Sequence, residues 1–340
     1  MTEPLLGWDV GGANVKAARV SAADDPAPVV VERPFALWRD PGGLADVLQE
    51  TARRLGPARK MAVTMTAELA DCFATQREGV THVLDAFVQA FPQSETWVYG
   101  TDGRFRSPDD ARARPREVAA ANWVAAATLV ARHVRDALLL DVGSTTADIV
   151  PILDGCVAAR GRTDLERLQS GELVYTGLLR TPACAIAGRL PLRGGSCGVA
   201  AELFAIAADA HLWLGRIDEA DYTCETPDGR GRSRRECGAR LARLVCADLE
   251  LLSEDDVSAI ARHLVLTQER QLGAAIRRVR RRLGDAAPGT AVVVGAGAAL
   301  ALAAAQQAGL SVLDLASQLG AAAARAVPAA AVALLLADAP

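Results

Sequence analysis

Lysine is almost missing from this chain of 340 residues. It occurs only at Lys16 and Lys60, and the rest of the 37 basic residues are Arg. With so much Ala, that bias points to a GC-rich genome rather than to a function, but it makes the two surviving lysines worth placing. An excess of positive charge is missing as well. A formal net charge of −4 and a pI near 5.7 argue against a dedicated nucleic-acid binder, so the run Arg277-Arg278-Val279-Arg280-Arg281-Arg282 reads as a solvated helix face. Paired cysteines are absent too. The seven Cys (Cys72, Cys156, Cys184, Cys197, Cys224, Cys237 and Cys246) contain no C-x-x-C and are odd in number, which predicts reduced thiols in a cytoplasmic protein and no zinc site. The four His residues, His82, His133, His211 and His263, have no metal-like spacing, and structural roles are expected. The start, MTEPLLGWDVGG, has neither a basic region nor a long apolar run, so no signal peptide is expected. The apolar tail from Leu300 is interrupted by Gln306, Gln307, Gly309, Asp314, Gln318, Arg325 and Pro328. It falls short of the ~20 clean residues a membrane span needs, and buried helices are predicted instead.

What is present is one pattern used twice. LLGWDVGGANVKAARV at 5–20 and ALLLDVGSTTADIVPI at 137–152 each read as a buried strand, an Asp with a tight Gly turn, and a second strand running back. Glycine lets the backbone turn and approach a ligand, adjacent N–H groups can face phosphate oxygens, and an Asp at a strand end offers a hard oxygen to Mg²⁺. Two such turns facing each other would make a cleft with a carboxylate and a phosphate-binding turn on each wall. The metal ligands expected are Asp9 and Asp141. Phosphate or ligand contacts are expected from Gly11, Gly12, Asn14, Lys16, Gly143, Ser144, Thr145 and Thr146, with strand alternation a reason for either Asn14 or Lys16 to face away.

Strands are predicted at 5–10, 14–21, 29–34, about 61–66 and 96–99, with helices to Leu55, over 76–90 and over Pro115–His133, a βββαβαβα order. The second half restarts with strands at 137–143, 146–153 and 156–160, the last two joined by Asp154-Gly155. A strand at Cys184–Leu190, a Gly-rich loop at Arg193–Ser196 and helices at about 198–213, 233–252 and 254–283 follow, then a strand at 291–294, the turn Gly295-Ala296-Gly297, a strand near 311–315 and closing helices. The fold class is α/β, with two related domains, 1–135 and 136–340, the second carrying a helical insertion over about 161–285.

Twin Asp-x-Gly hairpins, each opening such a unit, with a late Gly-Ala-Gly turn, resemble the actin, sugar-kinase and Hsp70 superfamily. That resemblance implies ribonuclease H-like domains flanking a cleft. It also implies Mg²⁺ between the turns, and contacts from Gly295 and Gly297 to adenosine if ATP binds. The strings GWDVGGANVKAA, VTMTAELAD (63–71), ANWVAAA (121–127), LLLDVGSTTADIVPI and SGELVYTGLLRTP (170–182) narrow it further. Together they resemble the hydantoinase/oxoprolinase-related proteins of the tetrahydromethanopterin-linked C1-transfer pathway. Their archaeal relatives are methanofuran-type cofactor synthases. The activity implied is the joining of a furanylmethyl diphosphate to the phenol oxygen of a (glutamyl-)tyramine or tyrosine, with release of diphosphate. Partners would be these small molecules, without nucleic acid or membrane.

A phenol, with its ordinary pKa of about 10, needs a base to become a useful nucleophile. Glu68, in the polar corner after a strand, is the first candidate, followed by Glu172 and Asp148. Asn122 could touch a ligand or a facing turn. Trp213 and Tyr175 read more simply as core than as pocket, and Cys197 as a thiol in a flexible loop. Two other classes stay open: an ATP-dependent small-metabolite kinase, favoured by Gly295-Ala296-Gly297, and a non-catalytic nucleotide-binding scaffold.

Overall fold

A computed structural model describes residues 4–22, 28–314 and 321–339. The first half contains β1 (Leu5–Val10), β2 (Asn14–Val20), β3 (Val29–Pro34), α1 (Leu44–Leu55), β4 (Lys60–Met65), α2 (Gln76–Ala90), β5 (Glu95–Tyr99), β6 (Phe105–Arg106), α3 (Pro108–Ala113) and α4 (Asn122–His133). The second contains β7 (Ala137–Val142), β8 (Ala147–Leu153), β9 (Cys156–Val157), α5 (Asp164–Ser170), β10 (Leu173–Val174), α6 (Ala183–Ile186), β11 (Arg189–Leu192), β12 (Gly195–Gly198), α7 (Ala207–Trp213), α8 (Arg234–Arg243) and α9 (Glu254–Leu283). It ends with β13 (Thr290–Val294), α10 (Ala298–Gln307), β14 (Ser311–Asp314), α11 (Ala321–Arg325) and α12 (Val327–Ala337).

Two sheets carry the same strand arrangement. The first runs β3-β2-β1-β4-β5-β6 and the second β10-β8-β7-β13-β14. In each, an antiparallel hairpin (β1–β2, β7–β8) adjoins parallel strands (β4 and β5, β13 and β14). This is the ribonuclease H-like order, present twice. Helices α4 and α12 lie in one continuous apolar core with residues of both sheets, including Ala18, Ala62, Leu139, Val150 and Val292. Helices α1 and α2 cover the outer face of the first sheet, and α9 and α10 that of the second. The Ala-rich tail is therefore interior: α12 is buried from Val327 to Leu336 and packs on β1, β2, β4 and α4. Among the described residues, no helix is long and apolar enough to cross a membrane.

Strand alternation sets the functional geometry. In β1, Leu6, Trp8 and Val10 face the outer layer, which turns Leu5, Gly7 and Asp9 inward. In β7, Leu138, Leu140 and Val142 face outward, which turns Ala137, Leu139 and Asp141 inward. Both Asp residues thus sit at strand ends on the faces that look toward each other.

Several expected elements differ. The helix expected at Pro115–His133 begins only at Asn122, because Ala120 takes the left-handed conformation (φ 48°) and breaks it. The third strand of the second sheet's hairpin side is β10, not 156–160, of which only Cys156–Val157 pairs with β8. The strand expected at Cys184–Leu190 starts as helix α6. The loop at Arg193–Ser196 is instead a hairpin turn: Arg193 and Gly194 both have positive φ, as a tight two-residue turn requires, and this places Cys197 within β12. The helix expected over 198–213 is confined to α7, and that over 233–252 ends at Arg243, before Cys246 at φ 56°. The Arg run on α9 is not simply solvated. Arg278 and Arg282 donate to the carbonyls of Gln169 and Ser170 at the end of α5, and Arg280 donates to that of Ala308. The loop before β3 falls largely, and residue 315 of the last expected strand wholly, outside the described residues.

Candidate active site

The two turns are built alike. The Gly11 amide donates to the Asn14 carbonyl at 2.9 Å, and the Gly143 amide to the Thr146 carbonyl at the same distance. These bonds correct one expectation: the amides of Gly11 and Gly143 close their own turns and are not available to a phosphate. Among the described residues, the amides of Gly12, Ala13, Ser144, Thr145 and Thr146 have no acceptor, so these are the donors the two turns leave over.

Lys16 and Asn14 are two residues apart on β2 and therefore share a face, and both line one cavity of about 200 Å³ between the halves of the chain. The notion that alternation would separate them was wrong. Lys16 is in register with Asp9 and lies 3.7 Å from Glu32. Ser144 lines the same cavity, with Leu178, Leu179 and Ile217 as apolar wall.

Asp9 Oδ1 is buried and has no partner among the described residues. Burial raises Asp9 to about 6 and Asp141 to about 7; the charge of Lys16 opposes both shifts, while Asp148 adds to both. These are the properties of a pocket short of positive charge. The donors are hard carboxylate oxygens, so the pair suits Mg²⁺, which binds through one or two carboxylates and completes its shell with water and substrate phosphates. Among the described residues, no group of three or more His, Cys, Asp or Glu could hold a metal ion by itself.

Glu68 lies in the corner after β4, which is tied to the first turn by Thr66 and Ala67 amides donating to the Val10 carbonyl. Its Oε1 accepts from Gln76 Nε2 at 3.3 Å, while Oε2 is buried without a partner among the described residues. Burial, with the Asp164 charge adding to it, pushes the carboxyl to about 7. Asp148 is in register with Asp141, but its Oδ1 accepts from Arg167 Nη2 at 2.7 Å. It therefore anchors an arginine and is not the free base expected.

Glu172 is a clearer correction. It is fully buried, accepts the amides of Arg160 (2.8 Å) and Gly161 (3.0 Å), and pairs with Arg282, so no oxygen is left for catalysis. Glu172→Gln should lower unfolding free energy by about 2–4 kcal/mol, since it leaves a cation and an amide proton facing donors. Urea denaturation reads this out, and a loss below about 1 kcal/mol would contradict the structural role.

Gly295 and Gly297 are corrected as well. Their amides donate to the carbonyls of Ala324 and Val142, and a Cβ on either would overlap Asp141 Oδ1 or the Val142 side chain. Glycine here lets β13 turn against the end of β7; only Ala296 between them lines the cavity. Asn122 is the first residue of α4, half-buried, and hydrogen-bonds to nothing else among the described residues through its side chain. Trp213 is core, its Nε1 donating to Ser258, whereas Tyr175 is exposed.

The sequence reading missed two side chains. Arg167 is buried, stacks 4.1 Å over the Trp123 ring and pairs with Asp148. Asp164, raised by burial and by Asp148, sits in the first turn of α5. A signal did exist, since Thr163-x-x-Glu166 is a capping box that starts a helix with Asp164 and Arg167 one turn apart. Also missed was the wrapping of the second turn by residues 176–181. The amides of Leu178, Leu179 and Arg180 donate to the carbonyls of Gly143 and Ser144, and Gln268 of α9 pins the loop through Thr176 and Gly177.

Known proteins resemble this chain in sequence and in fold. The model of the hydantoinase/oxoprolinase family matches residues 59–338. A synthase from Methanocaldococcus jannaschii, "(4-{4-[2-(gamma-L-glutamylamino)ethyl]phenoxymethyl}furan-2-yl)methanamine synthase", is 39% identical over 261 residues, covering 76% of this chain and 77% of the relative. Nucleotide-free acetone carboxylase aligns at TM-score 0.58 and 12% identity, over 95% of this chain and 70% of that one. The ethanolamine utilization protein EutJ of Carboxydothermus hydrogenoformans aligns at TM-score 0.50 and 13% identity, over 98% and 90%. At such identities these two speak for the fold alone, the two-domain actin-like α/β architecture.

Proposed function

Because this chain belongs to the hydantoinase/oxoprolinase family, we propose that it is a synthase forming the furan-to-phenol ether of a methanofuran-like C1 carrier. A furanylmethyl diphosphate would be the donor and a phenol of the (glutamyl-)tyramine or tyrosine type the acceptor. The phenol oxygen forms a bond to the methylene carbon, the bond from that carbon to the diphosphate oxygen breaks, and the phenol proton passes to a carboxylate.

The observation that carries the reading is the meeting of Asp9 and Asp141 on facing sheet ends, with a buried Glu68 in the corner that is hydrogen-bonded to the first turn. Asp9 and Asp141 would hold Mg²⁺, which when bound neutralises charge on the departing diphosphate. The amides of Gly12, Ser144 and Thr145 and the Lys16 ammonium would bind its oxygens. Glu68, near 7, is matched to taking a proton at neutral pH. Asp148 and Arg167 would fix the wall between Asp141 and Trp123. The kinase reading loses its main support, since the late Gly turn is accounted for by packing on β7. The direct test incubates the protein with furanylmethyl diphosphate, γ-glutamyl-tyramine and Mg²⁺. Diphosphate release matched by ether product in the mass spectrum is expected; phosphoryl transfer from ATP in its place would sink the proposal.

Gly177 offers a prediction at this site. A Cβ there would sit 2.5 Å from the Thr145 amide nitrogen and 2.6 Å from the Ser144 carbonyl carbon, backbone against backbone. Gly177→Ala must displace the second turn, and about 10²-fold of turnover should go with it. Steady-state kinetics on the folded variant check this, and near-normal turnover would show that the turn is not the phosphate cradle.

A further inference from the structure

We propose that the outer part of the cleft cavity is a subsite for a zwitterionic amino-acid head on the acceptor, with Arg325 and Arg216 taking its carboxylate and Asp221 its ammonium group. This rests on the synthase reading for the identity of the acceptor, but the recognition chemistry is argued from the cavity itself.

The cavity that contains Lys16 and Ser144 at the two turns is also lined by Arg216, Asp221 and Arg325. Arg216 is pre-set: its Nη1 donates at 2.8 Å to Glu269, a buried carboxylate whose other oxygen accepts from Gln307 Nε2. That leaves the rest of the guanidinium fork to a ligand, at little cost in side-chain freedom. Arg325 Nη2 donates to Asp221 Oδ1 at 3.0 Å, with 57% and 35% of the two side chains exposed. The Arg325 hydrogen bond holds the Asp221 carboxyl below the usual range, so it stays charged at neutral pH. A pair this open to water contributes little by itself and can exchange partners readily. An α-amino-carboxylate opens it symmetrically, offering a carboxylate to Arg325 and an ammonium to Asp221.

The other charges argue against simpler ligands. A second phosphate would meet Asp221 and Glu32 as well as the arginines, and an adenine ring would find no aromatic side chain among the lining residues. At about 200 Å³, the space fits an amino-acid head rather than a whole joined product. Leu178, Leu179 and Ile217 give the methylene arm an apolar path.

The experiment compares kcat/KM for γ-glutamyl-tyramine, glutaryl-tyramine (which lacks the ammonium) and tyramine in the wild type, Arg325→Met and Asp221→Asn. Arg325 is exposed and Asp221 half-buried at the surface, so both substitutions should leave folding intact. The preference for γ-glutamyl-tyramine over tyramine should fall by about 10- to 100-fold in Arg325→Met, chiefly through KM. Asp221→Asn should erode the preference for γ-glutamyl- over glutaryl-tyramine. An unchanged preference in both variants, or a wild type with no preference, would overturn the subsite while leaving the synthase intact. If no acceptor is turned over, the synthase reading fails and calorimetry decides the subsite separately. Binding of γ-glutamyl-tyramine that Arg325→Met weakens supports it, and absence of binding to the wild type overturns it.

Discussion

Asp141→Asn is expected to lower ether formation by about 10²–10³-fold and, in the absence of Mg²⁺, to make the protein more stable above pH 7. The two effects share one cause. Asp141 is inward-facing at the end of β7, buried, and beside Asp148 and Asp9, so its carboxyl titrates near 7 instead of near 3.8. A group whose folded pKa is raised holds its proton more tightly in the folded state. Stability is therefore greatest below about pH 4 and falls as pH rises toward 7, after which the loss is complete. The removed charge costs the metal-free fold something on the order of a few kcal/mol at pH 8, and Asn lifts that cost. Asp9, raised to about 6, should behave alike with a smaller effect. Mg²⁺ reverses the balance by pairing with the ionised forms. The wild-type melting temperature should climb on adding Mg²⁺, more at pH 8 than at pH 5.5, and Asp141→Asn should lose most of that response. Thermal melts at the two pH values, with and without metal, read this independently of turnover. A variant as active as wild type, or a melting temperature indifferent to Mg²⁺ at pH 8, would remove Asp141 from the metal site.

The parts of this arrangement that could be read in the sequence are those encoded locally. A buried strand, an Asp, a Gly turn and a returning strand are visible in Leu5–Val20 and again in Ala137–Leu153, and strand alternation then puts both Asp side chains on inner faces. The full extent of α9, Glu254 to Leu283, follows from its Ser253 cap and apolar spacing. What escaped was set by tertiary contact. Ala120 breaks the helix before α4 through a backbone angle that alanine does not advertise. Leu173–Val174 takes the third-strand place because β8 offers an edge there, though two residues carry no period. Glu172 looked available because nothing local reveals that Arg282, 110 residues away, and two amides would occupy it. Gly295 and Gly297 looked like a ligand turn because close strand packing and ligand approach demand the same residue.

Glu68 is a buried carboxyl raised to about 7 in the corner after β4, and Glu68→Gln is expected to reduce kcat by about 10²–10⁴-fold. Gln keeps the size and the Gln76 contact geometry but cannot accept a proton, so the loss would isolate proton transfer from packing. The pH profile supplies the sharper criterion. In the wild type, kcat should rise with pH through about 7 as Glu68 ionises, then level. Asp9 and Asp141 titrate in the same range, which could imitate this limb. Saturating Mg²⁺ separates them, because a bound cation keeps those two carboxylates ionised to lower pH. The limb that persists near 7 under saturating metal should then belong to Glu68 and vanish in Glu68→Gln. Stability gives a cross-check of opposite sign: a buried carboxyl raised by desolvation destabilises the fold above its pKa, so the inactive variant should melt no lower than wild type at pH 8. If Glu68 merely supported the corner after β4, Glu68→Gln would leave the acidic limb in place, and the base would have to be sought at Asp164, a further carboxyl raised by burial and by Asp148.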